Sequence, residues 1–281
     1  MEGHRLTMDK LAGFAEQLKR EERGAATIEK YVRNVRFFAE WLDGRAVTKE
    51  AVAGWKAHLQ GQGFAPCTVN AKLSALNRYF GYAGLEGCRV KLLHIQGRVF
   101  RDDSRDLSRA EYMRLLEAAR RCGKGLLGLA MEAIGATGIR VSELAYITVE
   151  AARAGRATVS LKGKVRVILI PRRLCRKLLE YAAGRGIRSG QVFVTRSGRG
   201  VSRGQLWRGM KEVGAQAGVE GSKVFPHNLR HMFAAAFYRG CHDIVKLAGV
   251  LGHSSIETTR IYVMATWGEH SRQMDRLGLV L

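Results

Sequence analysis

The chain has no apolar run approaching the roughly 20 residues that cross a bilayer, and its opening, MEGHRLTMDK, lacks the apolar stretch of a signal peptide. Both absences point to a soluble, cytoplasmic protein. Cysteine is sparse: five residues, at 67, 88, 122, 175 and 241, odd in number and nowhere spaced as CxxC. This argues against a disulfide framework and a zinc knuckle, and leaves reduced thiols that mostly pack. Aromatic residues make up only 8% of the chain and form no ladder, which disfavours a stacking platform for single strands. Acidic residues are few, 25 against 47 Lys and Arg, and they are not clustered as a magnesium site requires. The expected chemistry therefore uses neither metal nor cofactor.

What is present is a core-forming composition with a large positive charge. Of 281 residues, 46% are apolar and 26% charged, which suits a globular chain of two ordinary domains. The net charge of +22 exceeds what solubility needs and implies a polyanionic partner. The excess is uneven, because residues 1–97 carry 15 basic and 10 acidic side chains while residues 98–281 carry 32 and 15. From Arg153 to Lys211 there are sixteen basic residues and one acid, Glu180. Such a segment can serve an anionic lipid surface, but duplex nucleic acid fits it better.

The pattern predicts a mainly α fold. Helices are expected over Met8 to Arg20, over ATIEKYVRNVRFFAEWLD with Ile28, Tyr31, Val32, Val35, Phe38 and Trp41 on one stripe, from a Thr48 cap to about Gln60, and from a Thr68 cap to a terminating glycine. Residues from Leu85 to Asp106 lose periodicity and read as a linker. Domain boundaries are expected at 1–97, with the linker running to about 106, and at 107–281. Ser108 and Glu111 form a capping box that opens the second domain. GLLGLAMEAIGATG reads as a buried helix stopped by Gly138, and ATVSLKGKVRVILIP as a β-hairpin with Lys162, Gly163 and Lys164 at its tip. Further helices are expected near Arg172, Ser202, His227 and Asp243.

Breaking a phosphodiester without a metal needs a nucleophile, cations for the phosphoryl oxygens and a proton donor for the departing sugar oxygen. ATGIRVSEL places Arg140 after a glycine turn at the start of a helix, where it can meet a phosphate or simply pair with Glu143. PHNLRHMFA sets His227, Arg230 and His231 on one helical face. The HxxxH spacing also suits half of a zinc site, yet Asn228 stands where a metalloprotease helix needs Glu. LGHSSIETTRIYV brings His253 and Tyr262, of which the tyrosine alone reads as a core aromatic and the histidine as a helix-entry residue.

ATGIRVSEL, LKGK, HNLRH and LGHSSIETTRIY, in this order, resemble the tyrosine recombinase (integrase) family, in particular its Xer-like members. TIEKYVRNVRFFAEWL is similar to the family's helical core-binding domain and LSRAEYMRLLEAAR to the opening of its catalytic domain. The resemblance implies a two-domain clamp on duplex DNA, a 3′-phosphotyrosyl intermediate, and strand exchange by four protomers on two sites. It assigns Tyr262 as nucleophile, Arg140 and Arg230 as phosphate ligands and Lys162 as proton donor to the 5′-oxygen. His227 would assist proton removal from Tyr262, His253 would bond a phosphoryl oxygen, and Glu143 would brace them.

The hairpin spacing departs slightly from the commoner family pattern, so Lys164 competes with Lys162. The tail beyond Tyr262 is amphipathic, and the resemblance implies docking on a neighbouring protomer, a use for Leu277, Leu279 and Leu281 other than self-packing. A type IB topoisomerase would use nearly the same residues, and a DNA-binding accessory factor without catalysis is a third reading. The target sequence and the genetic element served are not legible.

Overall fold

In the computed structural model, residues 6–95, 104–161, 164–253, 255–262 and 274–277 are described. The chain divides into two compact units, Met1–Gly97 and Arg98–Leu281. Each has its own core.

The first unit is built from α1 (Met8–Arg20), α2 (Ala25–Leu42), α3 (Lys49–Gly61) and α4 (Pro66–Tyr82). The stripe on α2 turns Val35, Phe38 and Leu42 fully inward, with Ile28, Tyr31, Val32 and Trp41 half-buried around them. Lys30, Arg33 and Arg36 remain exposed. Phe38 meets Trp55 of α3 edge-on at 5.1 Å and Phe80 of α4 at 6.5 Å. Full burial of each such side chain contributes about 1.5–3 kcal/mol. Thr48 caps α3 by accepting the Ala51 N–H at 3.1 Å.

Two expectations need correction here. Thr68 does not cap α4, because Pro66 occupies the first helical position, where a missing N–H costs nothing. The residues after Leu85 are also not a free linker throughout. Asn77 exchanges two hydrogen bonds with the Val90 backbone and Asn70 two with that of Leu93, which fastens the strand of chain along α4.

The second unit contains α5 (Arg109–Arg121), α6 (Gly125–Thr137), α7 (Val149–Ala154), the antiparallel strands β1 (Arg156–Leu161) and β2 (Lys164–Leu169), and then α8 (Arg172–Gly184), α9 (Arg203–Gln216), α10 (Pro226–Cys241), α11 (Ile244–Leu251) and α12 (Ile256–Arg260). The Ser108–Glu111 box caps α5 as expected. α6 runs through the core with α5, α8, α9 and α10 against it. It stops where Gly138 takes φ 66°, the left-handed region that glycine enters without strain. The element that follows Arg140 is a six-residue 3-10 helix, Val141–Tyr146, rather than an α-helix.

In the hairpin Leu161 pairs with Lys164, so Lys164 is the first residue of β2 and not part of the turn. Lys162 and Gly163 lie outside the described residues, as do Leu279 and Leu281 of the tail. Leu277 is exposed. Among the described residues no helix is long and apolar enough to cross a membrane.

Candidate active site

Pro226 starts α10, and the i, i+3, i+4 spacing then puts His227, Arg230 and His231 on one face. Arg230 is only 1% exposed, which is unusual for a cation and requires partners. Its Nη1 donates to the Gly138 carbonyl at 2.6 Å and its Nη2 to the Leu251 carbonyl at 2.8 Å. These carbonyls close α6 and α11, the ends at which helix dipoles favour positive charge. Nη2 also reaches Nε2 of His253 at 2.8 Å. Burial, with Arg140 adding to it, pulls the Arg230 pKa to about 10, while Tyr262 and Glu143 oppose the shift. The guanidinium therefore stays charged at neutral pH. Its buried Nε–H has no hydrogen-bond partner among the described residues.

A guanidinium only donates, so Nε2 of His253 accepts and the ring proton sits on Nδ1, which donates to Thr259 Oγ1 at 2.8 Å. Burial first, then Arg230, Arg140, Arg166 and His227, lowers the His253 pKa to about 4. The ring is neutral. Thr259 is fully buried on α12, and three residues on the chain turns Tyr262 inward, to 4% exposure. The Tyr262 ring stacks on His253 with centroids 5.8 Å apart and lies 4.5 Å from His231. Ala234, Leu247 and Leu251 share its cluster, and it lies close enough to Arg230 to act on that guanidinium electrostatically. The tyrosine is thus both a core aromatic and a member of the cationic cluster.

Arg140 bonds Glu143 twice, from its backbone N–H at 2.7 Å and from Nη1 at 3.1 Å. Glu143 is 2% exposed. Burial raises the pKa of its carboxyl, but bonds from the Arg140 backbone and Arg166, with the charges of both arginines, outweigh this and hold it ionised. Arg140 remains accessible and lines a cleft of about 540 Å³ with Ser142, Arg203, Trp207, His227 and Arg230. Burial, then Arg230, Arg140 and Arg203, lowers the His227 pKa.

The motifs separated in sequence therefore converge: Arg140, His227 and Arg230 line one cleft, His253 and Tyr262 contact Arg230, and Glu143 holds Arg140. Lys162 lies outside the described residues, and of Lys164 only the backbone pairing is described. The His227 and His231 rings meet edge-on at 4.8 Å. Among the described residues no three His, Cys, Asp or Glu side chains are grouped as a metal site. The histidine packed on Tyr262 from α10 is His231, with His227 one ring beyond it.

Residues 105–267 match the phage integrase family and residues 11–87 match the N-terminal SAM-like domain of phage integrases. The chain belongs to the phage integrase family of tyrosine recombinases. It is 31% identical over 267 residues to tyrosine recombinase XerA of Thermococcus kodakarensis, covering 92% of each chain. Its fold is similar to that of the XerH recombinase solved with palindromic difH substrate, at TM-score 0.72 and 18% identity over 98% of this chain and 90% of that one. It is also similar to lambda integrase solved as a tetramer on a Holliday junction, at TM-score 0.73 and 19% identity over 93% and 78%.

For this site-specific tyrosine recombinase, the sequence reading assigned no role to three side chains that the structure brings to the site. Arg203, at the start of α9, lines the cleft, and only its place in the basic segment hinted at that. His231 was visible as the second histidine of HNLRH. Arg166 ion-pairs Glu143 from β2 at 2.5 Å. Its signal was the alternation of VRVIL, which places an arginine on the face of the strand that buries Ile168.

Proposed function

We propose that the recombinase cleaves duplex DNA by attack of Tyr262 Oη on the scissile phosphorus. The attack forms a 3′-phosphotyrosyl ester and releases the 5′-oxygen, which takes a proton from Lys162. The same ester is then opened by the 5′-hydroxyl of a second strand, so the bond energy is conserved and no metal enters the reaction. Arg140 and Arg230 hold the non-bridging oxygens, and His227 helps to remove the tyrosine proton. His253 joins the phosphate through Nε2, which it now offers to Arg230 as an acceptor. A phosphoryl oxygen is the stronger acceptor for Arg230, and its charge favours a protonated His253 able to donate.

The observation that supports this reading best is Arg230 itself: a buried guanidinium whose Nε–H has no partner among the described residues, close to His253 and Tyr262 and sharing a cleft with Arg140. Cations fixed by helix-end carbonyls need no reorganisation when charge develops on phosphorus. In this reading residues 1–97 bind the core site, residues 107–281 carry the chemistry, and the two together clamp the duplex. Four protomers act on two sites of inverted half-sites at the nucleoid, joined through tails in which Leu277, Leu279 and Leu281 dock on a neighbour.

The test uses a nicked suicide duplex that traps the covalent adduct. Tyr262→Phe should abolish the adduct and leave binding nearly intact, and EDTA should change neither. Cleavage by the phenylalanine variant, or its loss in wild type with EDTA, would overturn the mechanism.

A further inference from the structure

We propose that Arg166 is a positioning residue that keeps Arg140 available to the phosphate by carrying the charge of Glu143. This rests on the phosphate-binding role given to Arg140 above.

Strand alternation sends Val165, Val167 and Leu169 to the exposed side of β2 and Arg166 inward with Ile168. There its Nη2 meets Glu143 Oε2 at 2.5 Å and its Nη1 the Val250 carbonyl at 2.5 Å. Its stem lies against Gly252, where an added Cβ would come within 2.4 Å of Arg166 Cδ. The side chain is thereby fixed at three points and does not line the cleft.

Glu143 thus has two guanidiniums on one buried carboxylate. They differ in access: the Arg140 side chain is 42% exposed and the Arg166 side chain 14%. Two cations on one anion leave one positive charge uncompensated, and the accessible member is where a ligand can meet it. Without Arg166 the pair Arg140–Glu143 is neutral, and an incoming phosphate must compete with a carboxylate already bonded to the same guanidinium. Lysine keeps the charge but cannot bond Glu143 and Val250 with two separate donors of a planar fork.

Adduct formation on the suicide duplex separates this role from mere scaffolding. Arg166→Ala should slow cleavage on the order of a hundredfold, and Arg166→Lys should retain most of the activity. Glu143→Gln added to Arg166→Ala should restore part of the rate, because the competing charge is gone; loss of a scaffold would instead deepen the defect. On a duplex with a neutral methylphosphonate at the scissile position, both Arg140→Ala and Arg166→Ala should approach wild type, since the charge they serve has been removed. If Arg140→Ala is repaired there and Arg166→Ala is not, if the double variant is slower than Arg166→Ala, or if Arg166→Ala cleaves normally, the inference is wrong. If Arg140→Ala is not repaired either, the phosphate-binding reading falls and takes the inference with it.

Discussion

His253 is the residue whose ionisation the fold alters most usefully. Its pKa falls from an ordinary 6.5 to about 4, so the unfolded chain takes up a proton well before the folded one does. Acid therefore favours unfolding: the stability linked to this group is fully present above pH 6.5 and is lost as pH falls through 4. His253→Gln keeps an acceptor for Arg230 but does not titrate. Its melting temperature should fall less than that of wild type between pH 7 and pH 4.5, and equal slopes would refute the assignment. The shared helix face of HNLRH and the glycine turn before Arg140 in ATGIRVSEL were legible because both are local patterns. The His231–Tyr262 contact was not, because it joins residues thirty-one apart through the inward turn of Tyr262 just beyond α12, which no local period encodes.

At the scale of elements, end signals carried most of the readable information. The Ser108–Glu111 box and the Thr48 cap involve two residues of one turn and behaved as their spacing implied. Ser108→Ala should lower stability by about 1 kcal/mol, measured by thermal melting, with cleavage per folded molecule unchanged. Thr68 misled because a competing start signal, Pro66, lay two residues upstream. The docking of residues 90–93 escaped notice because two asparagines fasten the chain by side chain, without hydrophobic period. Gly138 joins element to site, since it ends α6 at φ 66° and its carbonyl holds Arg230. A Cβ there would stand 2.3 Å from Phe233 Cδ1. Gly138→Ala should cost more than about 1 kcal/mol and also depress adduct formation, whereas Ser108→Ala should not. Equal effects of the two on cleavage would separate Gly138 from the site.

Across the whole molecule the charge and the two cores set behaviour. Sixteen basic residues between Arg153 and Lys211 should make binding to duplex DNA fall steeply with salt, by about 0.9 in log affinity per log salt for each phosphate neutralised. A titration that gives a slope near zero would remove the electrostatic account. Cohesion is unequal across the second unit. α6 and α10 lie against each other over much of their length, but α12 is five residues long and, apart from Tyr262 just beyond it, buries only Thr259. A segment with so small an anchorage opens locally long before the unit unfolds as a whole. Backbone amides from 256 to 262 should thus exchange hydrogen for deuterium far faster than those in the middle of α6. Tyr262, the proposed nucleophile, would thus ride on a latch free to lift and reseat while the arginines proposed to receive the phosphate stay in place.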